Sequence, residues 1–166
     1  MKKTKKITKK KVGKFVSEKN LIHQSVTFPV VSFKLKADLE TSDFSEGFHE
    51  FDAPINISMG WKLLGLRKDN RGIRLGCKVG LDSKLYEIEV IIHAVMEFND
   101  DFSEDQCFET SFFQVLAAKL FFPYLSELIS SNTARLSDSI RPLILEKSLL
   151  NDIINQTSKQ KPFSRE

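Results

Sequence analysis

The side chains of this chain that are able to act as nucleophiles or metal ligands are few and widely spaced. The cysteines, Cys77 and Cys107, and the histidines, His23, His49 and His93, form no close cluster along the sequence. Zinc sites and disulfide frameworks need such groups at short, regular spacings. The sequence therefore predicts neither kind of site, and no spacing indicates the paired serine or cysteine and histidine of a hydrolase.

Cys107 and His93 have neighbours that indicate structural roles. Cys107 lies near the start of a predicted helix, where the helix N-terminus can lower the pKa of a thiol. Its aromatic neighbours, Phe108, Phe112 and Phe113, favour a buried structural thiol instead. His93 stands among apolar residues in a predicted strand, where a single histidine is more often packed or at an interface than catalytic.

The acids and glycines do not complete a recognisable ligand-binding loop. Residues 100–105 include four acids but lack the glycine and terminal glutamate of an EF-hand calcium loop. Acids just before a helix are expected from the helix dipole alone. Residues 72–76 hold two glycines without the spacing of a phosphate loop. The sequence thus predicts no cofactor, no metal and no enzymatic activity.

Charge is distributed unevenly along the 166 residues. Residues 1–14 hold eight of the 25 lysines and arginines and no acid, so the rest has 17 basic against 22 acidic side chains. A dense lysine tract repels itself and has little apolar surface to bury, which predicts a disordered arm. Such an arm can bind nucleic acid, ribosomes or another anionic surface, or it can be only a solubilising extension.

The elements that must carry any site begin with an extended segment at residues 25–35, where apolar and polar residues alternate. Pro29 restricts this segment to a sheet edge or a bulge, because proline cannot donate to the ladder. A polar stretch at 38–54 follows and predicts a surface loop.

Three further segments alternate with period two, which is typical of β-strands with one apolar face: residues 55–63, 73–81 and 86–92. Short turns connect them, so the strands are expected to be antiparallel neighbours. A sheet with one apolar face needs a cover.

Residues 108–129 form a long apolar run with isolated polar residues, which predicts one helix of about six turns that covers the sheet. Pro123 implies either a kink held by packing or a break into two helices, because proline removes a helical hydrogen bond. The sequence therefore predicts a single α+β domain.

The apolar segments also indicate where in the cell the protein is located. Gln114, Lys119 and His93 interrupt the longest apolar stretches, which predicts no membrane span of the required ~20 residues. The lysine-rich start lacks the apolar segment of a secretory signal. Together with the sparse cysteines, these features lead us to expect a cytoplasmic protein.

Phenylalanine is abundant, with 14 residues in the chain, many of them in the predicted helix. One four-stranded sheet cannot cover such a helix on all sides. The remaining apolar surface is either buried in a homo-oligomer, left open for apolar segments of other chains, or absorbed by an ordinary core.

The order of the elements and three short motifs resemble the SecB family of export chaperones. Residues 120–125, Leu-Phe-Phe-Pro-Tyr-Leu, are similar to the Leu-Phe-Pro-Tyr-Ala of the family's main helix. Residues 142–150 resemble the family's Pro-x-Leu-x-Leu crossover and the start of its last helix. Glu89 and Val90 lie in a segment similar to the family strand with a Glu-Val pair, and the resemblance spans about residues 25–156.

The resemblance implies a SecB-like α+β fold, in which a four-stranded antiparallel sheet is covered by a long C-terminal helix and a shorter final helix. Together with the lysine-rich composition of the start, these features divide the chain into a disordered arm at 1–14, a SecB-like domain at 15–156 and a flexible basic tail at 157–166. The resemblance also implies an ATP-independent chaperone that forms dimers or tetramers and binds unfolded or nascent polypeptides, either export clients or an antitoxin. The lysine arm supports an alternative, a nucleic-acid- or ribosome-associated binding protein.

Candidate sites follow from the same resemblance. The candidates for client binding are large apolar residues: Trp61, Leu63, Phe112, Phe113 and Tyr124. The candidates for docking to the translocation ATPase are the acids on the polar strand face: Glu87 and Glu89. The candidates for an oligomer interface are apolar residues of the main helix: Phe121 and Leu125.

Overall fold

A computed structural model describes most of the central part of the chain: residues 15–36, 55–83, 86–136, 143–160 and 163. The predicted lysine-rich arm at 1–14 and the predicted loop at 38–54 lie outside the described residues.

Four antiparallel strands form one sheet, as the sequence predicts. Their bounds are β1 Leu21–Leu35, β2 Asn56–Leu66, β3 Gly72–Asp82 and β4 Tyr86–Phe98. The order across the sheet is β1-β4-β3-β2, so β1 and β2 each have one neighbouring strand among the described residues. The three later strands form the predicted meander, and β1 pairs with its far side.

Pro29 has the position that its chemistry requires. It lies in the edge strand β1, within a register shift between Thr27 and Val30 where the ladder to β4 is interrupted. Because the ladder is already interrupted at this bulge, the missing N–H of the proline does not deprive a carbonyl of β4 of its hydrogen bond. The prediction of an edge strand or a bulge is confirmed on both counts.

Three α-helices follow the sheet: α1 Glu104–Glu109, α2 Phe112–Leu136 and α3 Lys147–Lys159. The predicted single helix from residue 108 is therefore wrong at its start. Thr110 has an extended backbone and separates α1 from α2. Its hydroxyl donates to the Gln106 carbonyl oxygen at 2.7 Å and accepts from the Phe112 N–H at 3.4 Å, which links the end of one helix to the start of the next.

Pro123 does not break α2, which continues to Leu136. The prolyl ring lies on an exposed part of the helix. The absent N–H therefore leaves a helical carbonyl near water, where its lost partner costs least.

One face of the sheet packs against the helices, and its core has two clusters. The Phe121 cluster contains Cys77, Val79, Leu81, Tyr86, Ile88, Val90, Ile92, Ala118, Phe121, Phe122, Leu125, Ile129, Leu143, Leu145 and Ile153. The Phe113 cluster contains Val16, Ile73, Leu75, Ala94, Met96, Phe98, Phe102, Cys107, Phe113, Leu116 and Ala117. Helix α2 contributes to both, lies nearest β1 and β4, and packs beside α3. This arrangement is the α+β fold that the sequence predicts.

Particular side chains hold both ends of the described body. Helix α3 extends to Lys159 and buries Thr157. At the other end, the buried Gln106 side chain receives the Val16 N–H at 2.8 Å and donates to the Val16 carbonyl oxygen at 2.7 Å. The chain is therefore fixed to the body immediately after the lysine-rich residues.

Candidate functional site

The most distinctive surface feature is the uneven cover of the apolar sheet face. On β3, the side chains that point toward the helices are at most 2% exposed: Ile73, Leu75, Cys77, Val79 and Leu81. Their neighbours on β2 alternate in the same way, but each is only partly buried. Val26, Phe28 and Phe33 on the other edge strand, β1, are also only partly buried, so the centre of the sheet is covered better than either edge.

We define the β2 row as the partly exposed apolar side chains Ile57, Met59, Trp61 and Leu63. Successive members are two residues apart, so they lie about 7 Å from one another along one face. The row continues the core outward, since Ile57 and Met59 pack on the Phe121 cluster and Leu63 packs on the Phe113 cluster. It is a strip of apolar surface supported from below by a rigid core.

Trp61 occupies the middle of the β2 row and packs against both clusters. Its ring centroid lies 5.9 Å from that of Phe121, with the planes tilted by 39°. The indole Nε1–H is buried and has no acceptor among the described residues. An unpaired buried donor is unfavourable, so this indole gains a hydrogen bond if an acceptor reaches it.

The predicted client-binding residues fall into three environments. Leu63 and Phe112 are partly exposed and, like Trp61, pack against the Phe113 cluster. Tyr124 is 52% exposed on α2 and belongs to neither cluster. Phe113 is 0% exposed, with its ring centroid 4.8 Å from that of Phe102. The structure thus corrects the assignment of Phe113, which is a core residue.

The predicted interface residues Phe121 and Leu125 are also interior. Both are fully buried in the Phe121 cluster, beneath the chain's own sheet and helices. A second subunit would meet neither side chain, because no surface of either is available. They stabilise the folded chain, and any oligomer contact must use other residues.

The predicted docking acids lie on the opposite sheet face, which no described helix covers. Glu87 Oε2 is 3.3 Å from Lys34 Nζ, and Glu89 Oε2 is 2.6 Å from Lys78 Nζ. All four side chains are largely exposed, so these ion pairs contribute little stability. The surface nevertheless differs from a bare acidic patch, because each carboxylate has a lysine partner.

Both cysteines are buried, as predicted for Cys107, whereas His93 is partly exposed. Burial raises the pKa of Cys77 to about 12 and, together with the nearby Glu104 carboxylate, raises that of Cys107 to about 12 as well. Neither thiol is therefore an activated nucleophile. His93 Nδ1 lies 3.2 Å from the Arg74 guanidinium. Within the described part of the chain, no three acids, thiols or imidazoles gather as metal ligands.

Two residues near the C-terminus contact the folded body and were not identified from the sequence. The Gln160 side chain donates to the carbonyl oxygen of Met59 at 3.2 Å. Phe163 is partly buried and packs against the Phe113 cluster, as Trp61, Leu63 and Phe112 do. The available signal was that Phe163 is the only large apolar residue between positions 157 and 166.

The apolar character of α2 exceeds the sequence expectation. By length and composition, the 24 residues Phe112–Arg135 could cross a membrane. Half of the most apolar part of this helix, 50%, is buried inside the protein. The core helix of a soluble protein meets the same criterion. The expectation that no run reaches spanning length is therefore corrected, since Gln114 and Lys119 are accommodated within the helix.

Comparisons with known proteins identify a similar fold at low sequence identity. No family model matches the chain, and no curated protein matches it. Among solved structures, the chain is similar to the Mycobacterium tuberculosis SecB-like chaperone Rv1957 in complex with a ChAD peptide from the HigA1 antitoxin Rv1956. The identity is 13% and the TM-score 0.50, with 74% of this chain and 83% of that chain covered. A protein of unknown function from Streptococcus agalactiae matches with a TM-score of 0.41 and 14% identity, over 76% of this chain and 96% of that one. The fold of the chain is therefore SecB-like.

Proposed function

We propose that the protein is an ATP-independent chaperone that holds unfolded or nascent polypeptides against the β2 row. The observation that carries this proposal is the contrast between β3, whose inward side chains are buried, and β2, whose equivalent side chains are partly exposed. The similarity in fold to a SecB-like chaperone in complex with an antitoxin peptide supports the same function.

The mechanism rests on many weak apolar contacts rather than on one strong one. Each square ångström of apolar surface removed from water contributes about 25 cal/mol, so several hundred Å² offset the cost of ordering an extended segment. Trp61 lies at the centre of the row and packs against both core clusters, so we expect its ring to be the main anchor for a client.

No reaction step is assigned, because the described side chains form no nucleophile or acid–base arrangement. Capture and release need no nucleotide in this scheme. The clients are export substrates or an antitoxin, and the antitoxin peptide bound to the similar chaperone favours the second class.

Three further parts of the proposal concern assembly, docking and location. We place the protein in the cytoplasm as a dimer or tetramer. The edge strand β1, which exposes Val30 and Val31, is better suited to subunit contact than the buried Phe121. Light scattering that gives a stable 19.0 kDa monomer at micromolar concentration would contradict the assembly.

Glu87 and Glu89 remain the candidates for docking to the translocation ATPase.

The direct test is protection of an unfolded protein from aggregation. The purified chain should suppress aggregation of chemically unfolded luciferase at a near-stoichiometric ratio, without nucleotide. Protection should persist at 0.5 M salt and after deletion of residues 1–14, since apolar contacts are not screened by salt. Absence of protection at a severalfold excess of chaperone rules the proposal out.

The second candidate function is nucleic-acid or ribosome binding through residues 1–14, favoured by the eight lysines of that segment. Phosphate contacts release counterions, so such binding weakens steeply as salt rises. Affinity for a 20-nucleotide RNA that is lost both at 0.3 M salt and on deletion of residues 1–14, in a chain without client protection, would favour this function over the first.

A further inference from the structure

The hairpin of β2 and β3 is a basic region in a body that is otherwise acidic. Residues 56–82 contain six of the 17 lysines and arginines that follow residue 14, but only two of the 22 acids. The rest of the chain after residue 14 thus has 11 basic against 20 acidic side chains. A positive hairpin on a negative body concentrates the attraction for anionic groups in one place.

Four basic side chains on the uncovered sheet face surround one glycine. Gly76 on β3 pairs with Lys62 on β2 and with His93 on β4, so their backbones flank it at about 5 Å on either side. Arg74 and Lys78 are two residues away along β3, which places them about 7 Å from the glycine in either direction. We define the basic patch as Lys62, Arg74, Lys78 and His93.

An exposed leucine lies at the centre of the basic patch. The register between β2 and β3 shifts between Leu63 and Gly65, and the extra residue, Leu64, lies over Gly76. A methyl group at position 76 would meet Leu64 Cδ1 at 3.3 Å, so the glycine allows the leucine to lie close to the sheet. Leu64 is nevertheless 38% exposed. The basic patch therefore offers an apolar contact with cationic groups around it.

Two members of the basic patch keep their charge available to a partner. Lys62 and Arg74 are exposed, and neither has a carboxylate within ion-pair distance in the part of the chain that the structure describes. The Arg74 guanidinium lies 3.2 Å from His93 Nδ1, a contact that orients the guanidinium and leaves its charge unbalanced. Lys78, by contrast, is paired with Glu89 at 2.6 Å. Lys62 and Arg74 can thus form charge-assisted hydrogen bonds with acids of another molecule.

The combination of charge and leucine favours an acidic polypeptide over a nucleic acid. Every aromatic residue of the four strands belongs to a core cluster or packs against one on the opposite face. Bases therefore meet no aromatic ring of these strands on which to stack. A phosphate backbone also gains nothing from the exposed Leu64. A segment in which acids flank an apolar residue satisfies both features at once.

We propose that the basic patch is a docking surface for an acidic segment of another protein, in which acids flank an apolar residue. The acids pair with Lys62 and Arg74, and the apolar side chain covers Leu64. The basic patch lies on the face opposite the β2 row, so an acidic partner leaves the surface proposed for clients accessible. Glu87 is six residues from His93 along β4, about 20 Å away, so the two ends of this face serve different partners.

Binding of a labelled peptide tests the charge of the basic patch. The probe is a fluorescein-labelled peptide of four Glu-Leu-Glu-Gly-Ser repeats, and the same peptide with glutamine in place of glutamate is its control. By fluorescence anisotropy, Lys62→Glu/Arg74→Glu should weaken binding of the acidic probe by about tenfold or more, because two attractions become repulsions. Binding to the wild type should also weaken as salt rises to about 0.3 M.

The matched variant is Lys147→Glu/Lys159→Glu on α3. Both lysines are exposed and, among the described residues, have no ion-pair partner. This variant changes the net charge by the same amount as the reversal in the basic patch. It should keep the wild-type affinity for the acidic probe to within about twofold, since these lysines lie on a helix and not on the uncovered sheet face.

A second pair of measurements tests the leucine. Leu64→Ser should weaken binding of the Glu-Leu-Glu probe by about three- to tenfold, because it removes the apolar surface that the probe covers. It should leave binding of a Glu-Ser-Glu version of the probe unchanged. A surface that recognises charge alone would show no difference between the two probes.

Failure of the wild type to bind the acidic probe, or equal losses in the two charge reversals, overturns the docking surface. So does an RNA of about 20 nucleotides that binds the basic patch without competition from the acidic probe, which would identify nucleic acid as the partner. Residues 38–52 of the chain itself contain six acids. Probe binding that occurs only after their replacement by glycine and serine would identify that segment as the occupant and exclude a separate partner. Each of these outcomes leaves the chaperone function in place, because client protection is measured separately.

Discussion

Strands β2 and β3 form one hairpin with the same alternation, yet they end in different environments. Leu63 and Leu75 lie opposite each other in the register, and so do Trp61 and Cys77. The β3 member of each pair is at most 2% exposed, whereas the β2 member keeps part of its surface in contact with water. The apolar face determines which side of each strand is covered. The position of the strand in the sheet, central for β3 and at the edge for β2, determines how completely it is covered.

The difference has a functional meaning. A residue buried on all sides contributes to folding and is unavailable to partners. A half-buried residue on a rigid base contributes less to folding and still offers apolar surface. The pair Leu63 and Leu75 separates the two roles with the same residue type and the same strand geometry.

The largest expected difference is in thiol reactivity. Cys77 on β3 should react with an aromatic disulfide reagent at pH 8 about a thousandfold more slowly than a cysteine introduced by Leu63→Cys on β2. The reason is that burial raises the pKa of Cys77 to about 12 and excludes the reagent, whereas position 63 is partly exposed. Absorbance of the released thiolate measures both rates, and unfolding in urea should make them equal.

The same pKa shift predicts a pH dependence of stability. Unfolded thiols ionise near their ordinary pKa, while Cys77 and Cys107 keep their protons in the folded chain up to about pH 12. Between these limits the unfolded state binds fewer protons, so the free energy of unfolding falls as pH rises above about 9. The double variant Cys77→Ala/Cys107→Ala should show a shallower fall from pH 8 to pH 10.5 in urea denaturation. Equal slopes would mean that the thiols are less buried than the structure indicates.

The second comparison is between Leu75→Ala and Leu63→Ala. Leu75→Ala should lower the free energy of unfolding by about 2–5 kcal/mol, because it removes a side chain enclosed by the core. Leu63→Ala should cost only about 1 kcal/mol, since part of the side chain is already in water. Urea denaturation of both variants measures the two costs. Equal costs would show that β2 is covered as fully as β3 in solution.

The contrast between the hairpin strands also defines what the sequence was able to predict. The alternation identified all four strands, and Pro29 identified the edge and its bulge, because these are local signals. Partial exposure of Trp61 could not be read, since it depends on the position of β2 at the edge of the sheet. The helix break at Thr110 was missed because the apolar run continues across it and only the hydroxyl's two hydrogen bonds mark the boundary.

Packing also explains why the candidate site was predicted only in part. Phe112 and Phe113 are adjacent and identical in type, but one is partly exposed and the other is enclosed. Helical position separates them, and it is fixed by tertiary contacts that composition does not reveal. Phe163 was overlooked because a single aromatic residue in a polar tail gives no periodic signal.

A fourth prediction concerns client binding at the centre of the β2 row. Trp61→Ala should weaken binding of an unfolded client by about tenfold or more, as expected for a large aromatic anchor. Ile144→Ala is the control, because Ile144 is more exposed than Trp61 but packs against neither cluster. Fluorescence anisotropy of a labelled client measures both affinities. If the two variants bind equally, the surface that captures clients lies elsewhere.

The smallest expected effect is on the uncovered sheet face, where Lys78 Nζ and Glu89 Oε2 are 2.6 Å apart. Glu89→Gln should change the free energy of unfolding by less than about 1 kcal/mol, because both groups are exposed and water screens their attraction.

The swap Lys78→Glu/Glu89→Lys keeps one charge of each sign and should be equally stable. It moves the negative charge from β4 to β3, so a partner that reads the acid at position 89 should no longer be captured. Retention of the translocation ATPase by wild type but not by the swap, in a pull-down of equally folded proteins, supports docking at Glu89. Equal capture of the ATPase by both proteins would mean that the Glu89 carboxylate only pairs with Lys78 and takes no part in docking.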